Sequence, residues 1–208
     1  MVIAVDGPAA SGKGTIARAL AKHFGLPHMD TGLLYRAVAL NLLQMGGDPS
    51  SEFEAVRACE IAQIDPDDPE LRSQVVSSIA SRISSYARVR AALLDRQRQF
   101  ASQEGGAVLD GRDIGTVIAP HATVKLFVTA TPEVRAERRM KELQQRGMTA
   151  HFADVLADIK ARDERDSTRE VAPLKQAADA ILLDTSGFDV EGAIGEAVRL
   201  VEERLADA

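Results

Sequence analysis

The stretch VIAVDGPAASGKGTIARALAKHFG, residues 2–25, reads as three joined pieces. Residues 2–5 are apolar and rich in β-branched side chains, as a strand buried on both faces requires. A glycine-rich loop with a single lysine follows. Residues 13–24 then place Ile16, Leu20 and Phe24 at helical spacing, and Gly25-Leu26-Pro27 stops the helix. Gly7-Pro8-Ala9-Ala10-Ser11-Gly12-Lys13 fits G-x-x-x-x-G-K between strand and helix. In such a loop the glycines let backbone N–H groups wrap a phosphate, and the helix N-terminus adds its dipole. Lys13 reaches the β- and γ-phosphates, so the loop is expected to bind a nucleoside triphosphate. Gly14 departs from the plain form of the motif by intervening before Thr15.

Beyond the loop, strands and helices alternate. Residues 28–30 suggest a short strand and 31–45 a helix, broken by Gly46, Gly47, Asp48 and Pro49. Residues 50–103 have helical periodicity alone, interrupted at 65–69. Strands are predicted at 106–110 and 124–129. Thr131 and Pro132 supply a cap and a first-position proline for a charged helix at 133–146, which Gly147 ends. A helix at about 150–165, a strand at 180–183 and a helix at 190–205 complete the chain. The alternation predicts an α/β fold: a five-stranded parallel sheet flanked by helices, in one domain over residues 1–208.

Composition narrows the function classes. A chain of 208 residues with 45% hydrophobic and 27% charged side chains is ordinary for one globular core. Its apolar runs are too short to cross a bilayer, so no membrane association is expected. No basic segment, apolar stretch and cleavage site precede the first strand, and a cytoplasmic location is the expectation. One cysteine, Cys59, excludes an internal disulfide and a multi-cysteine metal site. A net charge of −6 argues against a nucleic-acid binder relying on bulk positive charge. Yet 19 of the 25 basic residues are arginine. Either coding bias explains this, since the chain is also alanine-rich, or some arginines are forks for phosphate oxygens.

The loop alone does not name a reaction, because switches, motors and kinases share it. A guanine-reading N-K-x-D motif is absent, and a motor would be larger. A small kinase needs a second anion site facing the γ-phosphate, and three stretches are candidates. Asp30-Thr31-Gly32-Leu33-Leu34-Tyr35-Arg36 offers a hydroxyl at a helix start with Tyr35 and Arg36 one turn on; it is either a phosphate seat or a simple N-cap with a solvated arginine. Asp110-Gly111-Arg112-Asp113-Ile114-Gly115-Thr116 follows the third strand, where open α/β sheets bind ligands, and a plain turn is the alternative. Asp110 closing that strand could orient Mg²⁺ or its waters. Arg162, Asp166 and Arg169 fall at i, i+4 and i+7, which puts them on one helix face; a salt-bridged exposed helix is the alternative. Arg135, Arg138 and Arg139 share a face of helix 133–146, where a solvated face is again the alternative.

Together these stretches resemble the bacterial cytidylate kinase family over nearly the whole chain. The likeness rests on GPAASGKGT (7–15), DTGLLYR (30–36), ARVRAALLDRQR (87–98), DGRDIGT (110–116), ERRM (137–140) and RDERDSTREVAPL (162–174). DGRD-x-GT together with RD-x-RD-x-x-R is the specific part. The resemblance implies that Gly7, Pro8, Ala9, Ala10, Ser11, Gly12, Lys13, Gly14 and Thr15 hold ATP with Mg²⁺. It implies that Thr31, Tyr35, Arg36, Arg112 and Arg169 hold an acceptor phosphate, that Arg162 and Asp166 meet the ribose, and that Ser81, Arg90 and Asp113 read the base. Arg138 and Arg139 resemble arginines of a lid over ATP, within about 135–166. With Lys13, Arg112 and Arg162 they form the implied catalytic set, and Thr15 and Asp110 the implied metal site.

Longer family members have a mostly β insert between the equivalents of Ala58 and Val75, where this chain has only residues 59–74. The monophosphate-binding insertion, about 50–104, is therefore expected to be reduced and helical. The reaction implied is transfer of the γ-phosphoryl of ATP to CMP or dCMP; acidic charge and a short chain make a monomer the expectation. The alternatives are a small kinase for UMP or a non-nucleotide acceptor, and an ATP-binding regulatory module.

Overall fold

The computed structural model describes residues 1–61, 65 and 68–207. At its centre is β1 (Val2–Asp6), buried from Ile3 onward. In chain order follow α1 (Lys13–Phe24), β2 (His28–Asp30), α2 (Thr31–Gln44), α3 (Glu52–Ile61), α4 (Gln74–Ile83) and α5 (Ala87–Ala101). Then come β3 (Ala107–Gly111), β4 (Val124–Thr129), α6 (Pro132–Gln145), α7 (Phe152–Thr168), β5 (Ile181–Asp184) and α8 (Val190–Ala206). The strands lie in the order β2-β3-β1-β4-β5 with every neighbouring pair parallel, as the alternation predicted.

Side-chain alternation on β1 divides the core between the two faces of the sheet. Ile3 and Val5 pack with Ile16 and Leu20 of α1, Leu126 of β4 and Val201 of α8. Ala4 faces the other way, among Leu109, Ala101, Ile114 and Ile118. A further cluster joins α2 through α5, with Val38, Leu42, Leu71, Val76, Ile83 and Val89 at its centre. A small one, built on Ala136, Leu143, Val155 and Ile159, holds α6 against α7 with Ala10 of the loop beside it.

Caps act where the sequence places them. Thr131 accepts a hydrogen bond from Val134 N, with Pro132 opening α6. The boundaries differ from expectation by about a residue at β1, β3 and β5 and by a few residues at α7, and a π-helical turn at Ile114–Ile118 was not foreseen. Of the expected break at 65–69, residues 66 and 67 lie outside the described residues, and Pro69 begins a single 3₁₀ turn, Pro69–Arg72. One correction bears on the site. α7 ends at Thr168, and Arg169 is extended at φ −60°, ψ 141°, so it does not share the helix face of Arg162 and Asp166. The Ser167 and Thr168 hydroxyls bond back to the Asp163 and Glu164 carbonyls, and Arg169 Nε turns back to donate to the Ala172 carbonyl at 2.6 Å.

Candidate active site

Every candidate element meets at the carboxyl ends of the strands. The chain leaves β1 into the loop at Gly7, where a β-carbon would lie 2.0 Å from the Val128 carbonyl oxygen, so only glycine fits. Gly12, with φ +90°, turns the loop into α1. Ala10 is held in the left-handed region at φ 58°, a conformation that costs a β-carbon-bearing residue about 1–2 kcal/mol. Two arginines of α6 hold the loop by its carbonyls. Arg135 donates to Ala9 O at 3.3 Å and makes a bidentate pair with Asp163 at 2.9 and 2.5 Å. Arg138 donates to Ser11 O at 3.3 Å and to Thr185 Oγ1 and O at 2.9 and 2.7 Å. The solvated-face alternative is excluded for both. Arg139, one residue on, faces the cavity instead.

That cavity measures about 520 Å³. Ala9, Ala10, Lys13 and Gly14 line one side, while Gly7, Pro8, Ser11, Gly12, Thr15 and Arg138 do not line it. Thr31, Tyr35, Arg36, Ser81, Arg90, Arg112, Asp113, Arg162, Asp166 and Arg169 all line it, as does Asp110. The structure therefore brings together residues from α2, α4, α5, β3, the turn after β3, and α7.

At one end the buried Asp113 is hydrogen-bonded to Arg90, whose other nitrogen donates to the Tyr35 hydroxyl at 3.3 Å. Arg169 lies 3.6 Å from the second Asp113 oxygen. Nearer Lys13, Arg112 Nε donates to Asp166 at 2.8 Å and Arg162 Nη1 to Ser77 Oγ at 3.3 Å. Asp166 is buried, not on an exposed salt-bridged surface. Among the described residues Ser81 Oγ, Arg162 Nε and Arg169 Nη2 are buried without a hydrogen-bond partner. Such groups cost about 1–3 kcal/mol each when left unmet, so a cluster of them facing one cavity points to a polar ligand.

The charges are set by burial and by each other. Burial, then the nearby Arg112 charge, brings Lys13 from 10.5 down to about 7. Burial and Arg112 likewise bring Arg162 down to about 9. Burial pushes the Asp166 carboxyl up, but the Arg112 and Arg162 guanidiniums outweigh it and hold it below the usual range. Too many buried cations for the anions at hand are what a polyanionic ligand corrects.

The parallel register sets Asp30 of β2 beside Asp110 of β3. Thr31 Oγ1 donates to the Asp110 carbonyl at 2.8 Å, and His28 Nε2 lies 2.8 Å from Asp110 Oδ1. A β-carbon on Gly14 would lie 3.6 Å from Asp110 Oδ2, which therefore faces the loop and, across it, the first turn of α1 with Thr15. A hydroxyl and one or two carboxylates fit Mg²⁺, a hard cation that takes its remaining oxygens from phosphate and water. Among the described residues no cluster of three His, Cys, Asp or Glu forms a closed cage. Asp6, at the end of β1, accepts from the N–H groups of Ile114 and Gly115 at 2.8 and 2.7 Å and so ties the root of the loop to the turn bearing Asp113.

Sequence reasoning passed over Asp6, His28, Ser77, Asp163 and Thr185, and placed Arg135 on a face of α6 without its partners. Asp6 had a signal, being a carboxylate at the end of an apolar strand. The others act through partners 28 or more residues away and look like ordinary helix, strand or loop positions.

Among known proteins, a cytidylate kinase from Xanthobacter autotrophicus is 58% identical over 99% of both chains. One from Rhodopseudomonas palustris (strain TIE-1) is 55% identical over 97% of this chain and 96% of its own. Similar solved structures include a gluconokinase from Sinorhizobium meliloti, at TM-score 0.52 and 16% identity over 100% and 97% of the two chains, which shows a shared fold. No helix among the described residues is long and apolar enough to cross a membrane. The cytidylate kinase family matches residues 3–203, nearly end to end, and with the phosphate loop, the arginine-lined cavity and these relatives in agreement, the chain belongs to that family.

Proposed function

We propose that the protein transfers the γ-phosphoryl group of ATP to CMP and dCMP, giving ADP and the corresponding diphosphate. A single observation carries this reading: one cavity has the phosphate loop and Lys13 on one side and the cluster Arg36, Arg112, Arg162 and Arg169 on the other. Two polyanions can meet there only if their charges are neutralised, and the cavity supplies the cations. The loop from Gly7 to Thr15 takes the ATP phosphates, with Lys13 on the transferred group. Thr31, Tyr35, Arg36, Arg112 and Arg169 seat the acceptor phosphate. Arg162 and Asp166 meet the ribose. Ser81, Arg90 and Asp113 take the cytosine edge, where the buried Ser81 Oγ still has no partner.

Thr15 and Asp110 would hold Mg²⁺, which would supply neutralisation of charge on the transferring group. An oxygen of the acceptor monophosphate is already an anion at neutral pH, so attack needs no general base. Arg139 lines the cavity from α6, and Arg138 braces the loop. The whole chain works as one kinase unit, with residues 50–104 as the monophosphate-binding flap and 135–166 as the lid. Arg146 Nη1 donates to the Arg72 carbonyl at 3.1 Å and Arg162 Nη1 to Ser77 Oγ at 3.3 Å, so the two flaps are in contact. A monomer suffices for this reading, because every group it uses comes from one chain, and a cytoplasmic setting is where its nucleotide substrates are made.

The test is a phosphoryl-transfer screen with ATP against CMP, dCMP, UMP, AMP and shikimate. CMP and dCMP should be the efficient acceptors. Transfer to UMP or shikimate in preference, or no stoichiometric transfer to any acceptor, overturns the reading.

A further inference from the structure

His28 lies outside the cavity lining, yet it makes one of the best-shielded polar contacts near the site. Its Nε2 is 2.8 Å from Asp110 Oδ1, with the His28 side chain 17% and that of Asp110 3% exposed. An ionised carboxylate can only accept, so Nε2 carries the proton and donates. The contact follows from sheet register. Asp30 pairs with Asp110 and His28 with Val108, so His28, two residues before Asp30, projects from the same face and reaches one step along β3.

Asp110 is pinned at both ends. The Thr31 hydroxyl fixes its carbonyl, and His28 occupies Oδ1. Oδ2 is left facing Gly14 and the phosphate loop. Without a donor at position 28, Oδ1 is a buried acceptor with nothing to accept from, and the carboxylate turns about its last torsion, away from the neighbouring Asp30. We propose that His28 is a positioning residue for the Asp110 carboxylate, holding Oδ1 so that Oδ2 is aimed at the cation that accompanies the nucleotide. This rests on the reading of Asp110 as a cation-binding residue. It differs from the roles given to the cavity residues because His28 touches neither nucleotide.

The experiment compares wild type, His28→Leu, His28→Gln and Asp110→Asn, each saturated with ADP, by Mn²⁺ titration followed through the electron paramagnetic resonance of free Mn²⁺. CMP binding to each is measured by calorimetry. Loss of a partner that orients a metal-binding group typically costs about 10–100-fold in metal affinity. His28→Leu should therefore weaken Mn²⁺ by about tenfold or more. His28→Gln, which keeps an N–H donor, should recover most of the loss, and CMP affinity should stay within about twofold throughout. If His28→Leu does not fold, His28→Ala serves the same comparison. Weakened Mn²⁺ in Asp110→Asn with wild-type affinity in His28→Leu overturns the role of His28 alone. Unchanged Mn²⁺ in Asp110→Asn overturns the cation role of Asp110, and this assignment with it. Equal losses in the Leu and Gln variants mean that His28 fills space rather than donates, which also overturns it.

Discussion

Asp113 and Arg90 form a buried ion pair, and Arg169 stands 3.6 Å from the remaining Asp113 oxygen. The carboxylate is thus held in a fixed orientation at the end of the cavity away from Lys13, with lone pairs to spare for a donor. Cytosine offers an N4 amino donor there, whereas uracil offers O4, an acceptor that meets the carboxylate lone pair to lone pair. Asp113→Asn keeps the shape while its amide can donate to O4. Discrimination between CMP and UMP, read as the ratio of kcat/KM, should fall by about 1–3 kcal/mol, the scale of one good base contact. A fall of both substrates with an unchanged ratio would move Asp113 to phosphate or ribose.

Lys13 is where activity and stability oppose one another. Its folded value of about 7 lies below its ordinary 10.5, so below pH 7 the fold carries a penalised charge, and the penalty fades as pH rises from 7 to 10.5. Lys13→Met should cut turnover by orders of magnitude yet raise the melting temperature of the nucleotide-free protein at pH 6–7, the gain shrinking toward pH 10. Bound ATP restores the charge, so calorimetry at pH 7.5–8 in buffers of different ionisation enthalpy should record proton uptake by the wild type and none by the variant.

Arg138 and Arg139 are neighbours with different partners: Arg138 is committed to Ser11 and Thr185, and Arg139 lines the cavity. Replacing both by alanine should slow transfer by on the order of 10³-fold, as removal of a cation acting on the transferring group does. Singly, Arg139→Ala should mainly lower kcat and Arg138→Ala mainly raise the KM for ATP. A large loss of CMP affinity in either would place that arginine at the acceptor instead.

Burial raises the Asp6 carboxyl to about 6, against the pull of the Gly115 and Ile114 N–H groups. The native state then keeps a proton that the unfolded chain has released, so this group's share of stability is lost as pH rises from about 4 to about 6. At about 1.4 kcal/mol per pKa unit, the share is up to about 3 kcal/mol. Urea unfolding from pH 4 to 7 should reveal that downward slope in the wild type and a flatter profile in Asp6→Asn.

The fold was legible because its signals are local. Ile3 and Val5 alternate with Ala4, Thr131 and Pro132 announce α6, and Gly25 ends α1 within the residues that display it. The charged motifs at 30–36 and 110–116 stood out for the same reason. What escaped is set by distance along the chain. His28 finds Asp110 82 residues away, and Arg138 finds Thr185 at a separation of 47. Arg169 was assigned to a helix face by counting, whereas that helix ends one residue earlier, at Thr168. Arg135, Arg138 and Arg139 share one periodicity, and only the packing of α6 against the loop tells a brace from a cavity group.

The chain has a net charge of −6, yet Arg36, Arg112, Arg139, Arg162 and Arg169 are turned into one recess. Fields are screened over about 8 Å at physiological salt, so an anion in the recess senses these arginines rather than the net charge of the chain. A mononucleotide fits wholly inside that inner zone. Gathered in one recess of a chain of net charge −6, these arginines act on an anion only at close range.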